Sequence, residues 1–238
     1  MIEKAVVIIN PASANGNTGR RWPQLATKLR GRLADFQVLF TEAQGHGTTL
    51  ARNAIAEGAR HIISVGGDGT HNEVINGCVH DGKPQADNLM LSVIPTGTGG
   101  DLRRTLGLPN CALTAIDYVG HSPRRVDLGR LECATDQGGS KTAYFINISS
   151  FGVSGLVDKL VNESSKALGG RMSFLLGVAR GTLKYRNQPM RITLDPETDQ
   201  EVVLSGRYYN GVVANARYFG GGMYIAPQAL MNDGLFDV

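Results

Sequence analysis

The sequence predicts an α/β domain followed by a β-rich one, and two observations carry that prediction. Residues 1–124 alternate short apolar runs with segments of helical periodicity, the signature of a parallel sheet covered on both faces by helices in a three-layer, Rossmann-like arrangement. After Arg124 the texture changes to alternating strands and turns, which sets a domain boundary between residues 124 and 125. A chain of 238 residues, 42% of them apolar, has enough apolar side chains for two modest cores.

The strands of the first domain are continuous apolar runs, as expected of strands buried on both sides: Ala5 to Ile9, Phe36 to Phe40, His61 to Val65 and Leu89 to Ile94. Between them, Trp22, Leu25, Leu29 and Leu33 recur at helical spacing, and Leu50, Ala54 and Ile55 do so in the next connection. In the second domain, Arg125 to Leu131, Thr142 to Ser149, Met190 to Leu194, Glu201 to Leu204 and Tyr208 to Asn215 read as strands. One helix interrupts them, with an apolar stripe of Leu168, Met172, Leu175, Ala179 and Leu183 between basic flanks that include Arg180 and Lys184. A basic amphipathic helix can lie on an anionic membrane. Its commoner use is to pack on a β domain with the basic flank solvated.

Composition excludes several functions. The 24 basic and 21 acidic residues leave only +3, spread along the chain, which argues against a nucleic-acid partner. Cys78, Cys111 and Cys133 have neither CxxC spacing nor clustered histidines, so neither a zinc site nor a disulfide framework is indicated. With no run approaching a transmembrane length and no signal peptide, the expected location is cytoplasmic, with any membrane contact peripheral at the inner face.

The strongest chemical signal is Gly66-Gly67-Asp68-Gly69-Thr70, between a buried strand and the helix start Asn72-Glu73-Val74-Ile75. Glycine-rich turns at the carboxyl ends of parallel strands let backbone N–H groups approach phosphate, and the following helix adds its dipole. A carboxylate at that place is unfavourable beside phosphate unless a cation such as Mg²⁺ bridges them, which points to a nucleoside triphosphate. Taken alone, the turn reads equally well as a tight connection with Asp68 as a helix cap. Two further polar turns shift that balance: Pro95-Thr96-Gly97-Thr98-Gly99-Gly100-Asp101 after the fourth strand, and Asn10-Pro11-Ala12-Ser13, running to Gly16 and Gly19-Arg20, after the first. Three such turns on one rim indicate a phosphate-binding crevice. A GxxxxGK[ST] loop, an intact GxGxxG and a GxSxG elbow are all missing, which disfavours Walker-type NTPases, dinucleotide dehydrogenases and α/β-hydrolases. His71, beside Thr70, reads as an exposed residue at a helix start.

In order along the chain, Asn10-Pro11, Gly66 to Thr70 with Asn72-Glu73, Pro95 to Arg103, Gly220-Gly221-Gly222-Met223 with Ala226-Pro227, and Asp233-Gly234-Leu235-Phe236-Asp237-Val238 resemble the diacylglycerol kinase catalytic family in its bacterial lipid-kinase branch. The resemblance implies an α/β domain like those of NAD kinases and phosphofructokinases, a C-terminal β-sandwich, and ATP in the cleft between them. It assigns the triphosphate to Asn10, Pro11, Ser13, Arg20, Thr41, Gly66, Gly67, Gly69, Thr70, Thr96, Gly97 and Thr98. It gives catalytic roles to Asp68 and Asp101, a catalytic Mg²⁺ to Asp68, Asp101 and Asp127, and a structural Mg²⁺ to Asp233 and Asp237. The implied acceptor is a lipid hydroxyl at a membrane surface.

Two departures stand out. Gly100 replaces the asparagine of the usual Gly-Thr-Gly-Asn-Asp, and the chain stops at Val238, before the Asp-Gly-Glu motif whose aspartate is the family's expected general base. The chain therefore reads as truncated relative to the family; a resemblance to sphingosine kinases offers Asp68 as the base instead. The rival functions are an NAD kinase, which shares the GGDG turn, and a non-catalytic nucleotide- or lipid-binding module. A homodimer is compatible with the sequence but has no motif of its own.

Overall fold

The computed structural model describes residues 4–135, 137–157 and 184–238. The basic amphipathic helix expected around Leu168 to Arg186 falls almost wholly outside them. The elements in order are β1 (Ala5–Ile9), α1 (Asn17–Arg30), β2 (Gln37–Phe40), α2 (His46–Ala56), β3 (His61–Gly66), α3 (Asp68–Cys78), the short hairpin β4 (Val79–His80) and β5 (Lys83–Pro84), β6 (Met90–Pro95), α4 (Asp101–Leu106) and α5 (Ala112–Ala115). There follow β7 (Gly129–Ala134), β8 (Ser140–Phe145), β9 (Ile148–Gly152), β10 (Gln188–Leu194), β11 (Val202–Tyr208), β12 (Asn210–Ala214), β13 (Tyr218–Phe219) and β14 (Met223–Tyr224). The expected fold class is observed: a parallel α/β sheet in the N-terminal half and antiparallel β structure after it.

The four long strands of the first half form one parallel sheet in the order β2-β1-β3-β6, with Val7 opposite Val38 and Ile63, and Ile63 opposite Ser92. Because side chains alternate along a strand, β1 supplies both faces. Ala5, Val7 and Ile9 pack with Leu25 and Leu29 of α1, and Val6 and Ile8 pack with Ala51, Ala54 and Val74 of α2 and α3. Each strand therefore delivers its carboxyl end to the same rim. A third cluster joins Ile75, Val93 and Leu102 to Ile146, Ala216 and Met231.

The chain divides into two compact units, Met1–Ile148 with Ala214–Asp237, and Ser149–Val213 with Val238. The second holds the antiparallel hairpin β10–β11, in which Ile192 faces Leu204, and most of the β9–β12 pair. Among the described residues no helix is long and apolar enough to cross a membrane.

Candidate active site

The three polar turns are joined by main-chain hydrogen bonds. Thr96 and Gly97 donate their N–H groups to the Gly66 carbonyl at 2.8 and 3.1 Å, and Asn10 N–H donates to the Val65 carbonyl at 3.0 Å. Asn10 also spans two turns through its side chain, donating from Nδ2 to Thr70 Oγ1 at 3.1 Å while Oδ1 accepts the Ala12 N–H at 3.0 Å. Ser13, Thr18 and Thr96 share a hydroxyl cluster with O···O distances of 2.5, 2.8 and 3.2 Å. Thr41 is buried, and its N–H donates to the Ile9 carbonyl at 2.8 Å. The close approach of the turns requires glycine: a Cβ on Gly97 would lie 2.4 Å from Gly67 Cα, and one on Gly66 would lie 2.5 Å from the Thr70 side chain. Gly69 differs, since a Cβ there meets nothing within 4 Å.

Asp68 opens α3, but its carboxylate caps a different helix. Oδ2 accepts the Asp101 N–H at 3.2 Å and Oδ1 accepts the Leu102 N–H at 3.1 Å, so the charge sits on the first turn of α4, where the helix dipole favours an anion. Asp101 is itself buried; its Oδ2 accepts the Gly221 N–H at 2.8 Å and its Oδ1 pairs with Arg104 at 3.2 Å. Burial pushes the Asp101 carboxyl above the usual aspartate value, and the charge of Asp68 adds to the rise against the lowering effects of the Gly221 and Gly222 N–H groups and of Arg104. The GGGM loop, Gly220 to Met223, is thus tied to the acidic pair through Asp101.

His71 corrects the sequence expectation. It is 2% exposed, with Nδ1 2.8 Å from Ser64 Oγ and Nε2 buried without a hydrogen-bond partner. Burial lowers its pKa from 6.5 to about 4 against the raising effects of Asp68 and the Gly66 backbone, so the ring is neutral at pH 7.

The remaining expected residues divide into two groups. Arg20 reaches the Asn15 carbonyl at 3.4 Å, beside the Ser13 loop, and Thr98 is exposed at the tip of its turn. Asp127 belongs with the later acidic segment: its Oδ2 accepts the Gly234 N–H at 2.8 Å and its N–H donates to the Met231 carbonyl at 2.6 Å. Asp233 accepts the Leu235 N–H at 3.1 Å, and Asp237 pairs through its main chain with Ala214. Among the described residues no three His, Cys, Asp or Glu side chains converge as a ready cation cage. Two contributors escaped the sequence reading. Arg104 bridges Asp101 and the Gly99 carbonyl, and Glu73 accepts the Gly45 and Gly47 N–H groups at 2.9 and 3.1 Å, fixing the start of α2 after the Thr41 turn. Glu73 lay in a motif already singled out and Arg104 one residue beyond another; the partners of Glu73 lie 26 to 28 residues away, beyond the reach of local pattern.

Residues 4–131 match the profile of the diacylglycerol kinase catalytic domain, and residues 147–238 match that of the YegS C-terminal NAD kinase beta sandwich-like domain. The chain is 29% identical to a diacylglycerol kinase of Staphylococcus saprophyticus and 28% identical to one of Staphylococcus carnosus; each alignment covers 99% of this chain and 72% of the relative. A crystal structure of a diacylglycerol kinase from Bacillus anthracis superposes with a TM-score of 0.65 at 26% identity, covering 98% of this chain and 71% of the other. The catalytic-domain profile spans more than half of the sequence, and the chain belongs to the diacylglycerol kinase catalytic-domain family of phosphotransferases.

Proposed function

We propose that this chain is an ATP- and Mg²⁺-dependent lipid kinase, which moves the γ-phosphate of ATP onto a lipid hydroxyl such as that of diacylglycerol. The observation that carries the reading is the pair of carboxylates, Asp68 and Asp101, held next to each other at a rim of glycine turns. Burial and the neighbouring Asp68 charge make the Asp101 charge costly there, and a divalent cation beside it would offset that cost. Mg²⁺ characteristically takes one or two carboxylates and completes its shell with water and phosphate, so this donor set fits it without a third protein ligand.

Phosphoryl transfer asks for alignment and for electrostatic stabilisation. Asn10, Pro11, Ser13, Arg20 and Thr41 would border the triphosphate, with Gly66, Gly67, Gly69 and Thr70 and with Thr96, Gly97 and Thr98 forming its cradle. Asp68 and Asp101 would hold Mg²⁺, which supplies positive charge against the γ-phosphate oxygens. The hydrogen bond from Gly234 favours placing Asp127 with Asp233 and Asp237 at a second, structural cation site instead of with the catalytic pair. The relatives named as diacylglycerol kinases support a lipid acceptor.

The test is ATP consumption in mixed micelles containing diacylglycerol, with and without Mg²⁺, for the wild type and Asp68→Asn. The reading expects Mg²⁺-dependent turnover that the substitution abolishes. Near wild-type turnover by a folded Asp68→Asn protein would remove the metal role from that carboxylate.

A further inference from the structure

The first unit contains a cavity of about 230 Å³ that shares no lining residue with the three glycine-rich turns. Its walls include Arg124, Arg125, Arg217, Thr105, Leu230 and Met231. Arg217 is fixed at two points: its Nε donates to the Ala229 carbonyl at 2.9 Å, and its main-chain N–H donates to Thr105 Oγ1 at 3.1 Å. Arg124 donates from Nη2 to the Leu106 carbonyl at 3.2 Å. These bonds leave the other guanidinium nitrogens of both residues, and all of those of Arg125, without a partner among the described residues. No described carboxylate lies within ion-pairing distance of any of the three.

Three arginines thus line one concavity, and no described carboxylate is paired with any of them to offset their charge. The guanidinium fork matches phosphate oxygens bidentately, and two of the three forks are already oriented by the backbone. We infer that this cavity is an anion site that takes the phosphate group of a ligand, whether a phospholipid headgroup or a free phosphate. The cavity adjoins Leu230, which is 48% exposed, and Met231, so one wall can accept apolar atoms beside the phosphate. Thr105 and Leu106, which receive the Arg217 and Arg124 bonds, end the short helix α4 whose first residue is Asp101. An occupied cavity therefore braces the far end of the helix that Asp68 caps.

The inference stands on the cavity and its charges, independently of the kinase reading. The experiment is hydrogen exchange of the amides at 217 and 229–232 as inorganic phosphate is added, with ATP present to fill the nucleotide site. It compares the wild type, Arg125→Gln, and the double substitution Arg124→Gln with Arg125→Gln. Arg124 and Arg125 are exposed, so the variants are expected to melt as the wild type does and to keep its ATP response, which checks folding separately.

The expected result is phosphate-dependent protection in the wild type, with half-saturation shifted about ten-fold for each arginine removed, the lower end of a charged hydrogen bond's contribution. A second arm replaces phosphate with phosphatidylcholine vesicles made with or without phosphatidylglycerol. Protection by the anionic vesicles that the double variant loses identifies a headgroup site, whereas protection by phosphate alone identifies a soluble ligand. No protection in the wild type from either source, or equal protection in all three proteins, would overturn the inference.

Discussion

A substitution at Gly69 would separate the fold's need for glycine from the proposed phosphate contact. Gly69 is the second residue of α3 and exposed, and a methyl group there touches no protein atom within 4 Å. Gly69→Ala should therefore stabilise the fold, by up to about 1 kcal/mol from helix propensity, or a rise of roughly 2–4 °C in melting temperature for a chain of this size. A phosphate seated against the backbone N–H groups of the turn would meet that methyl directly. Overpacking of this kind costs about 1–3 kcal/mol, which corresponds to an ATP affinity lower by roughly 5- to 140-fold. Thermal melting and calorimetric ATP titration on the same protein read both effects, which run in opposite directions. A higher melting temperature with unchanged ATP affinity would show that the ligand does not approach this turn, and a lower melting temperature would contradict the open space around Gly69.

Gly97→Ala should behave in the opposite way. Its Cβ, 2.4 Å from Gly67 Cα, must push two backbones about 1 Å apart, and turnover should fall on the order of 100-fold with a lower melting temperature; full activity would contradict the close approach. The raised Asp101 pKa means that the folded state holds this proton more tightly than the unfolded one, so stability falls as pH rises from the ordinary value of 3.8 through the folded value. Asp101→Asn should remove that part of the pH dependence of melting, and an identical pH profile would refute the assignment. For His71 the sign is reversed: acidification from 6.5 to about 4 costs about 3 kcal/mol, because only the unfolded chain accepts the proton. Combining Ser64→Ala with His71→Leu should flatten the acid limb of the stability profile, and an unchanged acid limb would count against a buried neutral ring. Glu73→Gln should cost about 1–2 kcal/mol in denaturant titration by weakening the cap on α2, and an unaltered midpoint would show that the cap is dispensable.

The parallel sheet was legible because its strands are written as largely apolar runs, with β1 and β3 buried throughout, so each expected strand lies within a residue of the observed one at both ends. The second half was harder to read. The strand expected from Arg125 begins only at Gly129, because Asp127 spends its N–H on Met231 and its carboxylate on Gly234. The strand expected over Thr142 to Ser149 divides into β8 and β9, since the Asn147 carbonyl is occupied by the N–H groups of Asn215 and Ala216. The turns of the site were visible as glycine and acidic residues after strands, but the N–H groups that the Asp68, Asp101 and Glu73 carboxylates accept lie 26 to 120 residues away. A cap was foreseen for Asp68, yet the helix that it caps starts 33 residues later. His71 could have been read correctly: with Val74, Ile75 and Cys78 it completes the buried stripe of α3, and its neighbourhood to Thr70 drew attention away from that spacing.

The central claim is tested most directly by following labelled γ-phosphate from ATP with Mg²⁺ into products, offering diacylglycerol, phosphatidylglycerol, a sphingoid base and NAD in parallel. The account predicts label in a lipid product, none in NADP, and loss of the labelled lipid in Asp68→Asn. Label in NADP, or ATP bound with no transfer to any acceptor, would contradict it.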